Sequence, residues 1–149
     1  MRPYGQYFKN LDEYVSPITG QLIIKQKDLI LPGRGLDLVI ERIYVSPYVF
    51  TGGKPYEEDP YIMTDLGEVW KLNFPWIGKN YVYLEDGKQY KIQWNSSNNF
   101  YNHKGDHFRL RKMDDNTYRL WRTTGTKYYF DTEGKLTKIQ DTNNNTITF

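Results

Sequence analysis

The chain has 149 residues, with 20 Lys and Arg against 18 Asp and Glu, and a net charge of +2. Zero cysteine excludes disulfides, cysteine nucleophiles and Cys-ligated zinc or iron–sulfur centres, and two histidines exclude a His-rich metal site. The near balance of charge lacks the clustered basic footprint of a nucleic-acid binder, and the absence of alanine beside 14 Tyr, 7 Phe and 4 Trp argues against a helical bundle.

The composition and turn chemistry predict an all-β chain, an antiparallel meander of short β-hairpins with little helix. The first residues, Met1-Arg2-Pro3-Tyr4-Gly5-Gln6, hold no apolar run and do not read as a secretory leader. Apolar stretches such as Leu29-Ile30-Leu31 fall far short of the roughly 18 residues a membrane span needs. The chain therefore reads either as cytosolic or as a piece of something larger. The closing Asn145-Thr146-Ile147-Thr148-Phe149, a strand pattern just begun, favours the piece.

Residues 1–50 read as an N-terminal segment carrying one hairpin, 51–67 as a connection, and 68–149 as a continuous system of hairpins. In the first hairpin, Gln21 to Leu31 and Leu36 to Val45 flank Pro32-Gly33-Arg34-Gly35. Pro presets φ for a turn and Gly supplies positive φ. A four-residue loop would set Leu31 against Leu36 and Leu29 against Leu38. The stretch Thr51 to Pro60, rich in Gly, Pro and acid, cannot continue a sheet.

Tyr81–Glu85 and Lys88–Ile92 flank Asp86-Gly87, the signal of a two-residue type I′ turn. That register pairs Glu85 with Lys88, Tyr83 with Tyr90 and Tyr81 with Ile92. The next hairpin turns at Asp114-Asp115-Asn116. A three-residue loop there pairs Leu110 with Leu120, Arg109 with Trp121 and Arg111 with Arg119, keeping the faces pure. A fourth turns at Asp131-Thr132-Glu133-Gly134, with Gly134 as a left-handed bulge and Phe130 opposite Leu136. The last turn lies at Asn143-Asn144-Asn145. Turn centres near 87, 105, 116, 125, 134 and 144 recur mostly every nine to eleven residues, as a meander demands.

Two stretches resemble the Rhs and YD-repeat proteins. Tyr128-Tyr129-Phe130-Asp131-Thr132-Glu133-Gly134-Lys135-Leu136 resembles a YD repeat, with Phe130 where the second Tyr usually stands and Lys135 for the usual Arg. Ser16-Pro17-Ile18-Thr19-Gly20, Asp28-Leu29-Ile30-Leu31-Pro32-Gly33-Arg34-Gly35-Leu36-Asp37-Leu38 and Arg42-Ile43-Tyr44-Val45-Ser46 resemble the segment that precedes the repeats. The resemblance covers about Tyr14 to Phe149. It implies a structural part of a β-sheet shell in a large bacterial cell-surface or secreted protein, with the rest of the shell as partner. In polymorphic toxins such a shell encloses a toxic domain. No catalytic residue and no cofactor carries over. The motif residues are Pro32, Gly33, Gly35, Asp86, Gly87, Tyr128, Phe130, Asp131, Gly134 and Leu136.

Raw material for catalysis is sparse. His103 and His107 span a turn, with only Asp106 as a third ligand, so a solvated turn outweighs a metal site. Glu57-Glu58-Asp59 lacks an EF-hand pattern and reads as a solvated acidic loop. Asp86, Asp114, Asp115 and Asp131 all sit at turns, where Asp caps its own backbone. Arg109, Arg111, Arg119 and Trp121 share one face. A basic stripe beside Trp could stack on bases or sugars, but a cross-strand cation–π contact on a solvated face is the favoured reading. The leading expectation is a non-catalytic structural fragment, and the alternative is a β module that binds carbohydrate or another cell-surface ligand. An unpaired strand at Thr146–Phe149 would favour self-association.

Overall fold

The computed structural model of the protein describes residues 11–15, 20–33, 35–46 and 70–149. The connection read at 51–67, with its Glu57-Glu58-Asp59, lies outside the described residues, as do Ser16–Thr19 and Arg34. The fold is all-β. Among the described residues thirteen strands form three antiparallel sheets, with no α-helix and no helix long and apolar enough to cross a membrane. The chain divides into two compact units, Met1–Leu31 with Val39–Asn73, and Pro32–Leu38 with Phe74–Phe149.

The first unit holds a four-stranded sheet in the order β1 (Leu11–Val15), β2 (Leu22–Leu31), β3 (Leu38–Val45), β4 (Trp70–Leu72). Its buried apolar cluster is Ile23, Ile43 and Val45. At the open end of the β2–β3 hairpin the Ser46 N–H donates to the Leu22 carbonyl at 2.8 Å, and the Leu22 N–H to Ser46 Oγ at 2.9 Å. Leu22 therefore stands level with Ser46. The four-residue-loop register, carried down the strands, would put Gln21 there, so the expected register does not hold at this end. The offset has an apolar reason: it brings Ile23 level with Val45 on the face that also buries Ile43. Leu29, Ile30 and Leu31, at the turn end, are exposed.

The second unit opens with the Pro32–Leu38 turn, where the Gly33 N–H donates to Asp37 Oδ1 at 2.9 Å. Gly35 has φ +109, and a Cβ there would lie 2.3 Å from Asn145 Nδ2 and 2.9 Å from Asp141 Oδ2. The turn thus rests directly on the 141–145 turn. A three-stranded sheet follows, β5 (Trp76–Ile77), β6 (Tyr81–Tyr83) and β7 (Gln89–Lys91). Then comes a six-stranded meander, β8 (Asn99–Asn102), β9 (Phe108–Lys112), β10 (Tyr118–Arg122), β11 (Lys127–Phe130), β12 (Leu136–Gln140) and β13 (Thr146–Thr148), each strand pairing with the next. Ile77, Val82, Leu84 and Ile92 pack with Phe100, Phe108, Leu110, Leu120 and Phe130 into one buried cluster. Burying each such side chain stabilises the fold by roughly 1.5–3 kcal/mol.

The Asp86-Gly87 reading needs correction. Tyr81 pairs with Lys91, Val82 with Tyr90 and Tyr83 with Gln89. The loop is a single 3₁₀ turn over Glu85–Gly87, with Gly87 at φ +73 and the Leu84 N–H donating to the Lys88 carbonyl at 2.8 Å. It has three residues and only its last is left-handed, so it is not type I′. A one-residue slip flips every side chain to the other face. Here it gathers Val82, Leu84, Tyr90 and Ile92 on the core side and frees Tyr83 to stack flat on Trp76, with centroids 3.9 Å apart. The aliphatic match outweighs the Glu85–Lys88 and Tyr83–Tyr90 pairs that the shorter loop would have made.

The next two hairpins agree with expectation. Leu110 pairs with Leu120, Arg109 with Trp121 and Arg111 with Arg119. Phe130 pairs with Leu136, and Gly134 has φ +84. Five turns, starting at Asn95, Met113, Arg122, Asp131 and Asp141, share one frame. In each, the N–H of the first residue donates to the carbonyl of the fifth, and the N–H of the fourth donates back to the first. The fourth residues, Asn98, Asn116, Gly125, Gly134 and Asn144, all have positive φ. Where the first residue is Asn95, Asp131 or Asp141, its Oδ1 also accepts the N–H groups of the third and fifth, at 2.8–3.0 Å. This capping accounts for the Asp that follows Phe130.

Candidate functional site

Alternate residues of a strand share a face. In Phe108–Lys112 and Tyr118–Arg122 this sends Leu110 and Leu120 inward and Arg109, Arg111, Arg119 and Trp121 outward. Across all six strands the outer face is built of two rows. Asn99, Arg111, Arg119, Tyr129, Lys138 and Thr148 stand opposite one another in turn, from β8 to β13. Beside them run Tyr101, Arg109, Trp121, Lys127, Gln140 and Thr146. The face thus carries Arg109, Arg111, Arg119, Lys127 and Lys138, and no strand of this sheet contains Asp or Glu.

The face is ordered by its own contacts. Arg109 lies between two rings, 5.5 Å from the Tyr101 centroid and 5.1 Å from that of Trp121. Its Nε and Nη2 donate to Asn99 Oδ1 at 3.1 and 2.8 Å. Asn99 is itself buried and donates to the Ser97 carbonyl. Arg109 with Trp121 is therefore a cross-strand brace. The neighbouring row is arranged differently. Arg119 and Lys138 flank one ring, 5.5 and 3.9 Å from the Tyr129 centroid. The Tyr129 hydroxyl donates to Gln140 Oε1 at 2.8 Å, which holds the ring. Here a shallow depression of about 340 Å³ opens, lined in part by Arg119, Tyr129, Lys138 and Thr148. Next to Arg119 in the row, the Nε of Arg111 is buried without a hydrogen-bond partner.

Lys127, Tyr129 and Lys138 are not assigned to this face from the sequence: the first two lie outside the hairpin read at Arg109–Trp121, and a bulge decides the place of Lys138. The register shifts between Tyr129 and Phe130. Extending the Phe130–Leu136 pairing without it would set Tyr129 against Thr137 and turn Lys138 to the core. With it, Lys138 faces Tyr129 outward and Ile139 faces Tyr128. The Thr137 hydroxyl donates to the Tyr129 carbonyl at 3.1 Å within the bulge.

The remaining motif residues do structural work. Phe130 is buried and Leu136 packs against the core, while Asp131 and Gly134 form the turn described above. The Gly134 carbonyl accepts the Ile77 N–H at 2.9 Å, and a Cβ on Gly134 would lie 2.0 Å from the Ile77 oxygen. Tyr128 is half-buried beside Arg122, whose guanidinium lies 5.8 Å from its ring. Burial, then the Glu85 carboxylate, pushes the Tyr128 hydroxyl far above its ordinary range.

A second polar cluster went unread in the sequence because its members lie far apart along the chain. Arg122 pairs with Glu85 and, at 3.5 Å, with Asp106. Asp106 accepts the Tyr90 hydroxyl at 2.8 Å and the Lys88 ammonium at 3.1 Å. Burial raises the Asp106 carboxyl, but Tyr90, Lys88 and Arg122 outweigh it and hold the group below its ordinary range. Burial is also the largest cause of the raised Tyr90 hydroxyl. The cluster ties the loop after β6 to β10 and to the turn after β8. His103 and His107 lie with ring centroids 6.2 Å apart, and among the described residues no group of three or more His, Cys, Asp or Glu is placed to hold a metal ion.

No protein-family model, curated protein or solved structure matches the chain.

Proposed function

We propose that the chain is a non-catalytic structural β module, the entry to an Rhs/YD-type repeat shell of a bacterial cell-surface or secreted toxin-like protein. The observation that supports this reading most is the recurring turn frame. It closes the four successive hairpins from β9 to β13, and a strand begins two residues after the left-handed position both at Gly125 (Lys127–Phe130) and at Asn144 (Thr146–Thr148). The resemblance of Tyr128–Leu136 to a YD repeat points the same way. Such repeats stabilise one another through nearest-neighbour contacts. Alternation of the ladder bonds leaves the backbone groups of Thr146 and Thr148 facing away from β12, ready to pair with another hairpin.

A tandem chain tests this. Residues 131–149 are appended directly after Phe149, so that Thr146–Phe149 takes the place that Lys127–Phe130 holds in the first copy. The reading expects a higher urea midpoint and a larger strand signal by circular dichroism. An unchanged or lower midpoint, with the added residues unprotected from hydrogen exchange, would contradict it.

The outer face supports a second reading, a β module that binds a cell-surface ligand. What supports it is a face whose strands carry five cations and no carboxylate, with Arg119 and Lys138 held on either side of the Tyr129 ring.

A further inference from the structure

We propose that the depression between Arg119 and Lys138, with Arg111 and Lys127 beside it, binds an acidic oligosaccharide laid across the strands, its carboxylate or sulfate groups meeting the cations. This rests on the binding-module reading and specifies the ligand class.

The argument starts from spacing. Neighbouring strands lie about 4.8 Å apart. Arg111, Arg119, Lys127 and Lys138 sit on β9, β10, β11 and β12, so they form a band of positive charge that crosses four adjacent strands. Arg119 and Lys138 are two strands apart, with Tyr129 between them. Successive sugars of an extended oligosaccharide repeat at a distance comparable to one strand spacing. A chain with an acidic group on every sugar, or on every second one, therefore presents charge at the interval at which Arg119 and Lys138 can receive it.

Chemistry narrows the choice. The face offers guanidinium, ammonium and hydroxyl donors and few acceptors, which suits a ligand rich in acceptor oxygens. An acidic peptide would bring backbone N–H groups onto a face with almost nothing to accept them, and those groups are costly to leave unpaired. Extended peptides instead add to sheet edges. Single-stranded nucleic acid gains its affinity by stacking bases on open aromatic faces. Here Lys138 already lies 3.9 Å from the Tyr129 centroid, and Arg109 lies against Trp121. These rings position cations and do not serve as free platforms for bases. Glycan carboxylates and sulfates need only the cations, which the rings hold in place before the ligand arrives.

Titration calorimetry with the full chain at near-physiological salt tests the proposal. The probes are a hexamer of uronic acid, a sulfated oligosaccharide of similar length, a neutral glucose hexamer, poly-glutamate and oligo-thymidylate. The uronate or the sulfated oligomer, or both, should bind; which of them does so identifies the anionic group. Arg119→Gln with Lys138→Gln should weaken that binding by roughly tenfold or more, the scale of losing two charge-assisted contacts. Lys91→Gln with Lys104→Gln removes the same charge from exposed positions elsewhere in the unit and should change binding by less than about twofold. Circular dichroism confirms that both variants are folded. Equal weakening by the two pairs, or equal binding of poly-glutamate or oligo-thymidylate, would overturn the proposal. Equal binding of the neutral hexamer would overturn the acidic class while leaving a glycan-binding module standing. If poly-glutamate or oligo-thymidylate binds and no glycan does, the proposal falls and the binding-module reading stands; if no probe binds, the two fall together.

Discussion

The two faces of the six-stranded sheet are built from the same strands and alternate residue by residue, yet they do different things. The inner face sets Phe100, Leu110, Leu120 and Phe130 into a closed apolar cluster, where Leu110 and Leu120 have no exposed surface. The outer face sets Arg and Lys against Tyr and Trp and keeps them at the solvent boundary. Apolar area removed from water dominates folding energy, whereas exposed cation–π and charge contacts contribute little. The inner face therefore specifies the fold, and the outer face is available for function at small cost in stability.

The largest effect should come from the inner face. Leu120→Ala is expected to destabilise by roughly 2–5 kcal/mol, the range for emptying a packed core site, read as a fall in urea midpoint. Gly134→Val follows. Its positive φ and the 2.0 Å approach of the added carbon to the Ile77 oxygen leave backbone as the only thing that can give way. A loss of about 3 kcal/mol is expected, at the upper end for a strained position. Gly125 makes a useful contrast, because its added carbon would meet chiefly a Thr142 methyl, a side chain that can move. Gly125→Val should cost less than Gly134→Val, and equal losses would mean that positive φ alone sets the penalty.

Asp106 sits between the extremes. Asp106→Asn removes the charge that Lys88, Tyr90 and Arg122 share, and is expected to cost about 1.5–3 kcal/mol at neutral pH, the scale of hydrogen bonds to a charged group. Its carboxyl is held below the ordinary value of 3.8, so its stabilisation is complete above that pH and is lost as pH falls through the lower folded value. Urea midpoints followed down through the acid range should fall less steeply in Asp106→Asn than in the parent. Parallel acid limbs would show that other carboxylates control acid unfolding. The smallest effect belongs to the outer face: Arg119→Gln with Lys138→Gln should shift stability by no more than about 0.5 kcal/mol, as surface changes do.

Much of this fold was legible in the chain. Gly87, Gly105, Asn116, Gly125, Gly134 and Asn144 mark the turns in the sequence, and each has positive φ in the structure, because Gly and Asn tolerate that conformation. Asn98 escaped notice inside a uniformly polar run, although Asn95 and Asn98 repeat the spacing of Asp141 and Asn144. The register of β6 and β7 was misread because pairwise charge and aromatic matches were weighed above a continuous aliphatic face. Arg109, Arg111, Arg119 and Trp121 were found by period two within one hairpin. Lys127 and Tyr129 follow from the same alternation carried into the next strand, whereas Lys138 reaches the face only through a bulge that no local residue type announces.

The contrast between the faces is tested most directly by following backbone amides of the isotope-labelled chain by NMR during titration with the uronate or sulfated hexamer. The account predicts shifts concentrated at Arg111, Arg119, Lys127, Tyr129 and Lys138, with Leu110, Leu120 and Phe130 affected only through their neighbours in the strand. Shifts spread evenly over the basic residues of the second unit, or none on the outer face at saturating ligand, would contradict it.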